Sequence, residues 1–187
     1  RYGARELPLV GTLAAGLSTA MIPAFSRDWN GSLEQLKIRI NRLLLWLYPP
    51  IILLIIFAPL AYVWVFTRAF IESSFIFQIY LLLIASQLII VQPIILAKGK
   101  ERWLVDAAIG ELITNLFLSL VLGFFFGIAG IAWATVIAFL YEKVYLIIRI
   151  KRNFGVGMLS YYPRWGILMT ILLVLFYILS YQLNDIW

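Results

Sequence analysis

Six long apolar runs divide this chain, and the Lys and Arg residues between them come in the order four, one, three, none, four. The first gap holds Arg27, Lys37, Arg39 and Arg42, and the second holds Arg68 alone. Lys98, Lys100 and Arg102 fill the third, the fourth (123–127) has none, and the fifth holds Arg149, Lys151, Arg152 and Arg164. Basic residues beside membrane spans stay on the cytoplasmic side, so odd gaps read as cytoplasmic and even gaps as external. A chain threaded six times through a bilayer produces this alternation, and a water-soluble core has no reason to. The pattern predicts a polytopic membrane protein.

Composition points the same way. Hydrophobic residues make up 64% of the chain and charged residues only 13%, against about 45–50% and 25% in a soluble domain. The net charge of +6 lies at span ends rather than along a polar face, which excludes a nucleic-acid partner. With Cys 0 and His 0 there is no thiol or imidazole nucleophile, base or metal ligand. The carboxylates form no aspartate-rich metal motif and no glycine loop suits a phosphate. No enzyme constellation, metal site or cofactor is expected.

A hydrocarbon core of about 30 Å takes about 20 helical residues. The predicted spans are 7–26, 43–66, 75–97, 104–123, 128–148 and 165–182, with no soluble domain between them. They lack the alternation of barrel strands, so an all-α bundle is expected. Trp29, Tyr62, Trp64, Trp103, Tyr161, Tyr162 and Trp165 cluster near span ends as interface anchors. In the first span Gly11, Ala15, Thr19 and Pro23 recur at four-residue steps beside Thr12, Gly16 and Ala20. Gly130, Ala134 and Ala138 repeat the device, which suits close helix approach. Ser32 and Gln35 fit a capping box opening a surface helix with Leu33, Leu36 and Ile40 on one face, turning inward at Arg42. Pro49, Pro50 and Pro59 should bend the second span. The chain opens Arg-Tyr-Gly-Ala with no separate signal peptide, and reads as a piece of a longer polypeptide.

Polar residues at membrane depth are the candidate functional groups. Glu111, Asn115 and Ser119 are four apart and share one helix face. A carboxylate there costs about 2.5–3.5 kcal/mol on insertion scales, and each Leu or Ile returns about 0.3–0.6. The span therefore inserts, but Glu111 should face protein or water, either as a structural partner or along a polar path. Gln87 and Gln92, followed by Pro93, suit interhelical hydrogen bonds. Asp106 should be solvated or paired with Lys100 or Arg102. Lys143, beside Glu142, is expected to snorkel toward the interface.

One set of motifs resembles a known family. Ile22-Pro23-Ala24-Phe25-Ser26-Arg27 closes a small-residue span. Gly31 and Leu33-Glu34-Gln35-Leu36-Lys37 then lead into a basic helix and a proline-bearing span. Ala97-Lys98-Gly99-Lys100 follows, then a helix with Asn115 and Leu120, and finally 127–135, Gly-Ile-Ala-Gly-Ile-Ala-Trp-Ala-Thr. In this order they are similar to the polysaccharide and oligosaccharide flippases of the multidrug/oligosaccharidyl-lipid/polysaccharide exporter superfamily. The resemblance covers nearly all of the chain. It implies most of the second lobe of a two-lobe inner-membrane transporter, with an N-terminal lobe of the same polypeptide as partner. It also implies alternating-access movement of an undecaprenyl-diphosphate-linked saccharide for cell-surface polysaccharide synthesis. Besides Glu111, Asn115, Ser119 and Gln87, Arg68 is then a substrate-path candidate as a cation for the diphosphate. A drug exporter of the same superfamily and a membrane-embedded transferase are the alternatives.

Overall fold

The computed structural model describes residues 8–65 and 71–184. Among them the elements are α1 (Pro8–Arg27), α2 (Trp29–Val65), α3 (Ile71–Gln87), α4 (Gln92–Leu96), α5 (Glu101–Phe154) and α6 (Arg164–Asn184), with a short 3₁₀ turn (Met158–Ser160) before α6 and no strand among the described residues. Trp29–Val65, Ser73–Leu96 and Glu101–Phe154 are long and apolar enough to cross a membrane. The fold is a helical bundle compatible with insertion in a bilayer.

Asp28 separates α1 from α2 and caps the second helix: its Oδ1 accepts the Gly31 N–H at 3.1 Å. The cap predicted at Ser32 is thereby corrected. Ser32 lies buried one turn inside α2, because the carboxylate ahead of it already takes the first free amide. The predicted surface helix is corrected too. Trp29 to Val65 form one continuous helix through Arg42 and all three prolines, its lower half held by the Leu33, Leu36, Ile40 and Leu44 stripe that packs into the core.

α3 is the central helix, with every residue from Leu81 to Ser86 buried, packed among α2, α5 and α6. The predicted third span is interrupted: α3 stops at Gln87 and α4 restarts at Gln92. Pro93 has no N–H for the Ile89 carbonyl, and it sits in the first turn of α4, where a helix needs no such donor.

A straight 54-residue helix would be about 80 Å long, yet the Trp103 and Phe154 rings near its two ends are 5.4 Å apart. α5 is therefore a hairpin. It reverses at Gly127, whose φ 60, ψ −140 lies in a region that only glycine enters readily. The two arms touch backbone to backbone near the turn: a Cβ on Gly130 would sit 2.0 Å from the Leu122 oxygen. The predicted close approach along Gly130, Ala134 and Ala138 is present, and all three are buried.

The basic gaps meet at one end of the bundle. Trp29 packs edge-on to Phe25 at 5.4 Å and to Phe154 at 5.8 Å. The Lys98 ammonium sits 4.1 Å from the Trp29 ring centroid, and Arg149 lies over Trp103 at 5.8 Å. Lys37 Nζ donates to the Leu159 carbonyl at 2.8 Å, so residues from the first, third and fifth gaps share one aromatic cluster.

Candidate functional site

α2 and α6 run parallel, and a ladder of polar contacts fixes their register. The Trp165 indole N–H donates to Asn41 Oδ1. Tyr48 and Thr170 share a hydrogen bond at 2.9 Å, and the Thr170 hydroxyl also bonds the Gly166 carbonyl at 2.9 Å. Below this seam Tyr161 is fully buried, and desolvation pushes its phenol above its ordinary pKa.

Deeper in, a polar knot joins three helices. Pro59 cannot donate to Ile55, four residues back, so that carbonyl loses its helical partner. Gln78 of α3 supplies it: Nε2 donates to the Ile55 oxygen at 2.6 Å and lies 2.9 Å from Ser180 Oγ of α6. Ser180 Oγ also reaches the Ile55 oxygen at 3.4 Å. Sequence reasoning read Pro59 as a bend and missed this knot. The signal was there, since a proline in a helix interior leaves the carbonyl four residues earlier without its usual donor.

The predicted polar face lies along the first arm of α5. Glu111, Asn115 and Ser119 are half-buried, and Ser119 Oγ donates to Asn115 Oδ1 at 3.2 Å. Leu112, Ile113, Leu116, Phe117 and Leu120 are exposed on the other side, so the polar row sits toward the bundle and the apolar row away from it. Gly110, next to Glu111, opens onto Tyr141 of the second arm, where a Cβ would lie 2.7 Å from the ring. Glu111 thus stands level with Tyr141 and Glu142.

Lys143 corrects the snorkelling expectation. Its side chain is 8% exposed and pairs with Glu142 at 3.0 Å. Beside Leu146 and Ile150 on the buried side of the arm, the ammonium is held inside by the neighbouring carboxylate rather than extended to the interface. Asp106 is exposed.

The remaining candidates lie apart. Gln87 Oε1 is buried without a hydrogen-bond partner among the described residues, 3.9 Å from where a Cβ on Gly11 would sit, so it faces α1. Arg68 lies outside the described residues. A cavity of about 730 Å³ opens between the α5 turn and α6, walled by Leu122, Phe126, Gly130, Trp133 and Tyr177 with Gln182 at its edge. Neither Gln87 nor the Glu111 row lines it. No group of metal-ligating side chains occurs among the described residues. No protein-family model, curated protein or solved structure matches the chain.

Proposed function

We propose that this chain is most of one lobe of a lipid-linked saccharide flippase in the cytoplasmic membrane. In this reading it crosses the bilayer six times and moves an undecaprenyl-diphosphate-linked saccharide outward by alternating access. The observation that carries the reading is the half-buried row Glu111–Asn115–Ser119 inside an arm whose outer side is continuously apolar. A saccharide head needs a wet polar path, while its polyprenyl tail can stay in lipid, and a row of this kind meets the first need without exposing charge to the second. The hairpin form of α5, the parallel α2 and α6, and the meeting of the odd gaps support six alternating passes. The small-residue face of α1 supports a second lobe: Ala15, Gly16, Thr19, Ala20 and Pro23 are all exposed, a surface suited to another close-packed helix.

Export assayed in a strain lacking its own flippase, with membrane abundance measured alongside, tests the proposal. Glu111→Gln keeps size and hydrogen bonding and is expected to lower saccharide export at unchanged protein level. Glu111→Leu removes an insertion cost and is expected to insert but fail to export. Normal export from both variants would overturn the role of this face. A full-length protein that exports drugs and restores no surface saccharide would overturn the cargo.

A further inference from the structure

A second, smaller cavity of about 370 Å³ lies between α1 and α2, lined by Leu13 and Leu17 of α1 and by Arg39, Arg42, Leu43 and Trp46 of α2. Its chemistry is divided along its length. Arg39, Arg42 and Trp46 follow at three- and four-residue steps and form one stripe on α2, the arginines nearer the basic end of the bundle. Because α1 and α2 form a hairpin about Asp28, Leu17 lies nearer the arginines and Leu13 farther along with Trp46. Trp46 is 77% exposed, so the apolar end of the groove opens sideways.

Both arginines are exposed, and neither has a carboxylate partner among the described residues. Their level is fixed by the neighbouring Asn41, which accepts from Trp165 at the start of α6. The Arg39–Arg42 turn therefore stands level with the start of the apolar run of α6, the kind of boundary where basic residues meet lipid head groups.

We propose that this groove binds an anionic phospholipid of the leaflet facing the basic gaps. Its phosphate lies between Arg39 and Arg42, and an acyl chain lies against Leu13, Leu17, Leu43 and Trp46. Guanidinium groups grip phosphate oxygens with paired hydrogen bonds, and a basic pocket between membrane helices on the cytoplasmic side suits such a head group. Inorganic phosphate would satisfy the arginines but leave the apolar wall uncovered. A zwitterionic lipid would cover the wall but bring its own cation against them. The site is independent of the transport reading, since a lipid held here is compatible with any cargo.

Native mass spectrometry of the full chain, delipidated in detergent and offered equal amounts of phosphatidylglycerol and phosphatidylcholine, tests it. The wild type is expected to retain phosphatidylglycerol about tenfold more, and the preference should persist in millimolar inorganic phosphate. Arg39→Gln/Arg42→Gln should abolish the preference with helicity unchanged, and Arg152→Gln, an exposed cation elsewhere, should keep it. Leu13→Trp, which fills the groove, should lower retention of both lipids. Equal retention by the wild type, loss of the lipid to free phosphate, or a preference surviving in the double variant would overturn the proposal. So would stronger retention of a polyprenyl phosphate than of phosphatidylglycerol, which would assign the groove to cargo.

Discussion

Gln78 donates to the Ile55 carbonyl at 2.6 Å, the acceptor that Pro59 leaves without a helical partner. The side chain of one helix thus completes the backbone of another. A membrane interior offers no water to do so, which makes this contact more than a packing detail. Gln78→Leu is expected to destabilise the bundle by about 0.6–2 kcal/mol, part of the loss being offset by removal of the Gln78 Oε1, which has no partner among the described residues. In a Pro59→Ala background the new N–H can serve Ile55, and the same substitution should cost less. Unfolding titrations on all four proteins measure the coupling, and additivity would show that the bond is incidental.

The α5 turn makes a sharper demand. A Cβ on Gly130 would sit 2.0 Å from the Leu122 oxygen, so Gly130→Ala must push the arms apart, at about 1–3 kcal/mol. Gly127→Ala meets no neighbour, but it strains φ 60 by about 1–3 kcal/mol. Gly130→Ala should shift a cross-arm distance measured between spin labels near the turn, and Gly127→Ala should change stability without that shift.

The pair of buried Lys143 and half-buried Glu142 separates removal of one charge from removal of two. Lys143→Met alone leaves a half-buried carboxylate without its cation and is expected to cost about 1–3 kcal/mol, while Lys143→Met/Glu142→Gln should be near neutral. Folded protein in thermal melts checks both. A harmless single substitution would mean that water reaches the carboxylate.

Sidedness is directly measurable, because Cys 0 removes labelling background. A cysteine replacing the exposed Glu34 should be shielded from an impermeant thiol reagent in intact cells, and one replacing Ser73 should react. The opposite pattern would reverse the orientation argued from the basic gaps.

What could be read from the sequence was what is written locally. Apolar runs and basic gaps gave the helical class and the end at which Trp29, Lys98 and Phe154 meet, and four-residue spacing put Glu111, Asn115 and Ser119 on one side of an arm. Ser32 was misread as a cap because the rival pair, Asp28 accepting from the Gly31 N–H, differs only in where the helix begins. The break at 88–91 was missed although Gln92-Pro93 announced it, since an apolar run gives no other mark of interruption. Lys143 was placed at the interface because reach alone was considered, and its burial depends on how α5 packs. The Gln78–Ser180 contact spans 102 residues, and no periodicity encodes such a pairing.

The parallel seam between α2 and α6 has a consequence in time. Asn41 and Trp165 are 124 residues apart, and at about 5–20 residues per second of synthesis roughly 6–25 s pass between them. Through that interval α2 sits in the bilayer with the Asn41 amide and the Tyr48 hydroxyl waiting for partners not yet made. The seam is the last part of the bundle to close. A nascent chain released before Trp165 carries a normal α1–α5 sequence but leaves the Tyr48 hydroxyl without its Thr170 partner, a difference that membrane quality control can read.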